Sequence, residues 1–260
     1  MKAMILAAGL GTRLRPLTDD RPKALVTVAG RTLLEMTLSR LRSFGVREVI
    51  VNVNHHAEQI VDYIEANRNF GMRIEVSREE VLLDTGGGLK KAASFFLEAG
   101  ASATSSEPID APFPEPFLVH NVDVLSTIDL GRMVGFHSEH NALATLAVQD
   151  RETSRYLLFD KQGQLRGRRA GREGKPELAV PAQSVQALAF SGIHVLSPRI
   201  FAKLEEEGAF SIINAYLRLA AQGEKILAFH ADGAYWRDLG CLENLAEAER
   251  DLASGKLASS

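Results

Sequence analysis

The chain opens on a short apolar run, Met4 to Ala7, and then loses all periodicity from Ala8 to Pro22, where Gly, Thr, Asp and Pro crowd together. The first reads as a buried strand and the second as a long loop of the kind that carries function. Apolar residues then return at helical spacing, Leu34, Leu38, Leu41 and Phe44. They follow a Thr32-Leu33-Leu34-Glu35 capping pattern and stop at Gly45, which predicts an amphipathic helix. Val46 to Val53 predicts a second strand, the spacing of Ile60, Val61 and Ile64 a helix from His56, and Met72 to Val76 a third strand. Strand, helix, strand, helix, strand predicts parallel βαβ units with helices on both faces of a sheet.

Asp84-Thr85-Gly86-Gly87-Gly88 stands before Leu89, Ala92, Ala93, Phe96 and Leu97. This predicts a Gly-rich turn feeding a helix whose amino end suits an anion. Glu98 to Pro116 has no periodicity and reads as a surface excursion. Phe117 to Asn121 predicts a strand that delivers Val122-Asp123, Asp129 a helix cap, and Ala142 to Val148 another strand. Beyond residue 150 the pattern turns to paired strands: Tyr156 to Phe159, a turn at Asp160-Lys161-Gln162-Gly163, and Gln164 to Arg168. Val185 to Val195 predicts a strand, Pro198 to Glu207 and Ile212 to Gln222 helices, Ile226 to Phe229 and Ala234 to Trp236 closing strands, and Leu242 to Leu252 a terminal helix.

With 260 residues, 45% of them hydrophobic and 24% charged, the chain has material for a sizeable core and no bias toward disorder. A net charge of −3 argues against general nucleic-acid binding, which needs a basic face. No apolar run approaches the roughly 20 residues that cross a bilayer, so no membrane association is expected. Cys241 is the single cysteine, which excludes an internal disulfide and a multi-cysteine zinc site and fits a reducing compartment. The opening apolar run breaks at Gly9 and is too short for a secretory signal, so a cytoplasmic location is expected.

The chemistry concentrates in Leu6-Ala7-Ala8-Gly9-Leu10-Gly11-Thr12-Arg13-Leu14-Arg15-Pro16-Leu17-Thr18 and its continuation Arg21-Pro22-Lys23-Ala24-Leu25-Val26. Glycines after a buried strand let backbone N–H groups approach a polyphosphate. Arg13 and Lys23 add a bidentate grip and a movable point charge. The spacing is neither that of a P-loop nor that of a dinucleotide fold. Asn121-Val122-Asp123 places a carboxylate at the carboxyl edge of the sheet, and Trp236-Arg237-Asp238-Leu239-Gly240 places a second after a late strand. An Asp-containing turn is the plainer reading of the first.

The segment from Leu6 to Val26 resembles the opening motif of the sugar-1-phosphate nucleotidylyltransferases. The resemblance implies an α/β, three-layer Rossmann-like fold with a mixed, mostly parallel central sheet. It implies one domain over residues 1–260, with a nucleotide-binding half at 1–150 and a sugar-binding half with a closing helix at 151–260. It places Ala8 among the nucleotide contacts, Gly9, Leu10, Gly11 and Thr12 along a triphosphate, Arg13 on the departing pyrophosphate and Lys23 on the phosphate under attack. It makes Asp123 and Asp238 the ligands of Mg²⁺. The partners it implies are a nucleoside triphosphate and a sugar 1-phosphate. The Asp-Thr-Gly-Gly-Gly form is similar to that of muramic acid 1-phosphate uridylyltransferases and of mannose 1-phosphate guanylyltransferases, which puts UTP first, GTP next and Gly86 beside the base.

Asn54 is a further base-side candidate that serves equally as a helix cap. Ser191-Gly192-Ile193-His194 resembles the family's strand motif in which a glycine, here Gly192, lies against the sugar, and it serves equally as a strand with one packing glycine. A Glu-Lys-Pro segment that contacts the sugar in many relatives has no clear counterpart, since this chain reads Arg166-Gly167-Arg168-Arg169 and Gly174-Lys175-Pro176-Glu177. His55, His56, Trp236 and Cys241 are read as structural. Two rivals stand beside this function. One is a catalytically inactive regulatory subunit, whose mark would be a lost Arg13, Lys23, Asp123 or Asp238, all of which are present. The other is a nucleotidylyltransferase for a non-sugar phosphate such as phosphocholine.

Overall fold

Strands that are apolar on both sides require a sheet covered on both faces, and the amino-terminal half of this chain is built of them. The structure, a computed structural model, describes residues 1–98 and 115–256. Most of the excursion expected at 98–116 therefore lies outside the described residues. In chain order come β1 (Lys2–Leu6), the hairpin β2 (Thr27–Val28) and β3 (Arg31–Thr32), α1 (Leu33–Phe44), β4 (Glu48–Val53), α2 (Ala57–Ala66), β5 (Arg73–Arg78), α3 (Asp84–Lys91), α4 (Ala93–Leu97) and β6 (Phe117–Asn121). There follow β7 (Val124–Ser126), α5 (Leu130–Glu139), β8 (Ala144–Gln149), β9 (Arg155–Phe159), β10 (Leu165–Ala170), β11 (Glu177–Leu178), β12 (Gln186–Leu196), α6 (Ile212–Ala221), β13 (Ile226–His230), β14 (Trp236–Asp238) and α7 (Leu242–Ala253).

The main sheet runs β11-β10-β9-β12-β6-β1-β4-β5, with β8 on β12 and β13 on β8. Its centre is parallel: Met4 of β1 lies opposite Ile50 of β4 on one side and Val119 of β6 on the other, and β5 continues parallel beyond β4. The antiparallel β12 turns the sheet mixed. Side-chain alternation separates two cores. Ala3 and Ile5 of β1 join Val49, Val51 and Leu118 in a core closed by α1, α2, α5 and α7. Met4 joins Ile50, Phe117 and Val119 in a core closed by α3, α4 and α6. Three layers result, as the sequence predicts.

Local signals hold where they have a mechanism. Thr32 Oγ1 accepts the Glu35 N–H at 3.0 Å and starts α1, although the Glu35 carboxylate turns to Arg31 and Tyr63 instead of closing the capping box. Asp129 caps α5 through the Arg132 N–H at 2.9 Å. Among the described residues no helix is long and apolar enough to cross a membrane.

Four expectations need correction. The glycines at 86–88 are not a turn before a helix but lie inside α3. Close neighbours select them: a Cβ would strike the Phe210 ring at Gly86 and the Gly208 carbonyl at Gly87. The helix expected to run on to Leu97 breaks at Ala92, whose N–H is shared among the carbonyls of Gly88, Leu89 and Lys90. It restarts so that Phe96 stacks on Phe117 at 3.9 Å. Of the helix expected over Pro198–Glu207 only a tight turn, Pro198–Lys203, forms. Arg218 takes the Lys203 carbonyl and Lys90 the Glu206 carbonyl, so side chains satisfy the extended stretch. The last strand is Trp236–Asp238, because Ala231 to Ala234 is spent on a turn. The short β2, β3, β7 and β11 offer too few residues for a period to register.

Burial pushes His120 and His194 down to about 3. They are neutral when folded, whereas an unfolded chain protonates them below about 6.5. The unfolded state thus binds more protons as pH falls, and stability present above pH 6.5 is lost on acidification. Each contributes a slope of about 1.4 kcal/mol per pH unit below 6.5. The melting temperature is expected to fall from pH 7.5 to 5.5, and His194→Gln to fall less steeply over that interval. Parallel wild-type and variant profiles in a thermal scan would contradict this assignment.

Candidate active site

The parallel strands β6, β1, β4 and β5 share one carboxyl edge, and there open α/β sheets bind ligands. Leu6 ends β1 and releases the Gly-rich loop. The Val122 N–H donates to the Leu6 carbonyl at 3.1 Å, so the loop and the Asn121-Val122-Asp123 segment leave the sheet side by side. The loop is braced. Thr18 Oγ1 donates to the Gly11 carbonyl at 2.9 Å, and Leu14 is fully buried. Gly11 has φ +65°, and a Cβ there would press on Thr18 and on Lys23 Cβ at 3.0 and 3.1 Å. That positive φ and close approach require glycine.

The backbone segments that carry Asp123 and Asp238 pair with each other. β14 pairs antiparallel with β7, with Asp238 opposite Val124, and the Leu239 N–H donates to the Asp123 carbonyl at 2.7 Å. Lys23 is ion-paired with Asp123, both side chains being mostly buried at 13% and 17% exposure. Asp238 Oδ1 accepts the Gly240 N–H at 2.7 Å, and its Oδ2 lies 3.8 Å from Arg13. Asp238 is anchored from behind: Asn244 of α7 donates to its carbonyl at 2.6 Å. The preceding Arg237 bonds Asp251 at 2.7 Å and pairs with Glu247, both on α7. Lys256, Tyr235 and Arg237 hold the Asp251 carboxyl well below the usual carboxylate range.

Two cavities share this point. One of about 430 Å³ is lined by Ala8, Gly9, Lys23, Asn52, Thr85 and Asp123 among others. The other, of about 700 Å³, reaches from Arg13, Asp123 and Asp238 past Gly192 to Arg151, Arg155, Arg168 and Arg169. Asn121 and Asp123 belong to both. The arrangement presents two cations and two carboxylates where the cavities join. Asp123 and Asp238 are hard oxygen donors at one edge, a set that fits a divalent cation completing its shell with phosphate and water. Among the described residues no cluster of three or more His, Cys, Asp or Glu offers a fuller cage.

Ala8 and Gly9 line the smaller cavity, and Leu10 and Thr12 are exposed beside it. Gly192 has φ +73° in an interrupted stretch of β12, where a Cβ would come within 2.8 Å of Asn121 Nδ2 and 2.9 Å of Val124. Gly86 does not line the cavity: it is buried and its N–H donates to the Phe210 carbonyl at 2.9 Å. Its neighbours Asp84 and Thr85 do line it. Asn54 donates to the Glu79 carbonyl at 2.8 Å, while Asn52, two residues earlier, faces the cavity. The sequence reading missed Asn52, Asn121 and Arg151. Arg151 stacks over the Trp236 ring at 3.4 Å, and burial lowers its guanidinium to about 10 against the pull of Asp238. Asn52 lies near the end of β4 and Asn121 closes β6, positions legible in principle, whereas Arg151 sits in a loop with no motif.

Residues 2–255 match the family model described as nucleotidyl transferase. The chain is 31% identical, over 96% of its own length and 96% of the other, to an N-acetylmuramate alpha-1-phosphate uridylyltransferase of Caulobacter vibrioides. It is 31% identical over 92% of its length to a probable mannose-1-phosphate guanylyltransferase of Arabidopsis thaliana, of which it spans 62%. HddC from Yersinia pseudotuberculosis complexed with GMP-PN superposes with a TM-score of 0.71 at 22% identity, over 96% of this chain and 99% of that one. A UDP-glucose pyrophosphorylase complexed with UDP-glucose superposes with a TM-score of 0.74 at 17% identity, over 97% and 98%. The last two likenesses show the fold.

Gly240 tests the junction sterically. A Cβ there would stand 2.6 Å from Asp238 Oδ1, 2.7 Å from Arg13 Nη2 and 3.3 Å from Lys23 Nζ. Gly240→Ala is expected to lower pyrophosphate-releasing turnover on the order of 10²-fold, the usual cost of displacing reacting groups by about 1 Å, with the melting temperature little changed. Wild-type turnover in this variant would show that the three heads need no such closeness.

Proposed function

The chain belongs to the nucleotidyl transferase family, as a sugar-1-phosphate nucleotidylyltransferase, and from that premise we propose that it joins UTP to a sugar 1-phosphate with Mg²⁺ and releases pyrophosphate. The carrying observation is the Lys23–Asp123 pair at the border of two cavities, with Asp238 on the adjoining strand. The smaller cavity takes the nucleotide and the larger one the sugar. An oxygen of the sugar phosphate attacks the α-phosphorus, and the α–β phosphoanhydride breaks with pyrophosphate leaving opposite. The attacking phosphate is ionised at neutral pH, so no general base is required.

Both reactants are anions, and neutralising and aligning them is the task. Lys23 carries positive charge to the reacting phosphate, Arg13 to the leaving group, and Asn121 stands on the shared wall. Asp123 and Asp238 would hold Mg²⁺, which would supply further neutralisation of phosphate oxygens. The Asp84-Thr85-Gly86-Gly87-Gly88 form and the uridylyltransferase name of the Caulobacter relative support UTP over GTP.

The lining of the larger cavity narrows the sugar. Arg13, Arg151, Arg155, Arg168 and Arg169 stand in it against three carboxylates, Asp123, Asp238 and Glu177, the last held by Arg168 at 2.7 Å. This excess of positive charge supports a sugar that carries an acid of its own, such as the N-acetylmuramate in the relative's name.

A pyrophosphate-release screen of four nucleotides against acidic and neutral sugar 1-phosphates and phosphocholine tests the reading. UTP with an acidic sugar 1-phosphate is expected to give the highest kcat/KM; a preference for GTP, for a neutral sugar or for phosphocholine would overturn the corresponding part. Asp123→Ala is expected to abolish turnover with the fold intact, and Arg13→Ala to lower it about 10²-fold. Wild-type rates in either would remove that residue from the site.

A further inference from the structure

A chain of buried hydrogen bonds joins the two loops that flank the smaller cavity, and no step of the reaction above uses it. The Ala7 N–H donates to Asn52 Oδ1 at 2.8 Å. Asn52 Nδ2 donates to Glu79 Oε1 at 2.7 Å. The Leu83 N–H donates to Glu79 Oε2 at 2.9 Å. Asn52 and Glu79 are only 2% and 4% exposed. Ala7 opens the Gly-rich loop, and Leu83 precedes Asp84 and Thr85, which line the cavity. The helix α3 makes room for the chain at Gly88, where a Cβ would stand 2.7 Å from both Asn52 Nδ2 and Glu79 Oε1.

The direction of these bonds is forced. Both outer partners are backbone donors, so each end of the relay must present an acceptor. Asn52 presents its oxygen to Ala7, which turns its amide nitrogen toward residue 79. Residue 79 must then accept at both ends, which a carboxylate does and a neutral amide does not. That explains a buried acid whose two oxygens face neutral donors, in a position where burying charge is costly.

We propose that Asn52 and Glu79 are positioning residues that lock the Gly-rich loop and the base-side loop in one register, so that nucleotide affinity depends on the direction of this relay. The proposal rests on the nucleotide reading of the smaller cavity. Glu79→Gln sets two donors face to face, at Asn52 or at Leu83. Asn52→Asp sets two carboxylate oxygens together. The double variant Asn52→Asp/Glu79→Gln restores every bond: the carboxylate at position 52 would accept from Ala7 and from the amide at position 79, whose oxygen would accept from Leu83. A merely space-filling role predicts no such rescue.

Calorimetric titration with Mg·UTP in the absence of sugar phosphate, together with steady-state kinetics, tests this. Each single variant is expected to bind nucleotide about 10-fold more weakly, the usual consequence of a buried polar group left unpaired. In Glu79→Gln, which lies outside the cavity lining, KM for the sugar phosphate and kcat are expected to change by less than about 3-fold, and the double variant is expected to regain near wild-type affinity. Single variants that bind as wild type, or a double variant no better than either, would overturn the proposal. If a single variant fails to fold, Glu79→Asp, which keeps both acceptors on a shorter stem, is expected to weaken nucleotide at least about 3-fold, and unaltered affinity there overturns it equally. If the wild type itself binds no nucleotide, the reading of the cavity fails and the proposal falls with it; that titration separates the two failures.

Discussion

Everything at the carboxyl edge depends on a three-residue ribbon. The pairing of β14 with β7 and the bond from the Leu239 N–H to the Asp123 carbonyl set two acids, remote in sequence, side by side. Like charges brought together repel and resist desolvation, so the ribbon alone would be a liability. Lys23 and Arg13 offset it, one on each aspartate. The anchoring of β14 to α7 through Asn244, Arg237 and Asp251 holds the second acid from behind. The chain thereby holds charge in place before any ligand arrives, which is the condition for electrostatic catalysis without reorganisation.

The same edge separates labour between two cavities. On one side the loop after β1, the end of β4 and the start of α3 enclose a space lined by Ala8, Gly9, Lys23, Asn52 and Thr85 among others, the space that the proposed reading gives to the nucleotide. On the other side β9, β10 and the loop before β9 bring arginines to a larger space, and β12 brings Phe190 and Gly192. Asn121 and Asp123 stand in the wall between them, so a reaction joining one bound molecule to another has its meeting point defined by the end of a single strand. Gly192 keeps that wall thin, since a side chain there would collide with Asn121 and Val124.

Much of this was legible in the sequence because its signals are local. Buried strands alternating with amphipathic helices predict the parallel centre, and the segment from Leu6 to Val26 carries the resemblance that leads to the family. What escaped was set by contacts between distant segments. The glycines at 86–88 read as a flexible turn, yet packing against Phe210, Gly208 and the Asn52–Glu79 pair selects them inside a helix. Asn52 and Asn54, two positions apart, are indistinguishable by composition and by strand alternation; the chain leaves β4 at Val53, and Asn54 is then spent on the Glu79 carbonyl while Asn52 lines the cavity. Arg151 takes its place from Trp236, a residue far along the chain.

The central claim is that Asp123 and Asp238 together hold one divalent cation beside the nucleotide. Electron paramagnetic resonance of Mn²⁺ substituted for Mg²⁺, recorded with UTP present, measures this directly. One tightly bound Mn²⁺ per chain in the wild type, markedly weakened in both Asp123→Asn and Asp238→Asn, is the predicted result. Mn²⁺ bound equally well by the wild type and either variant would contradict the account.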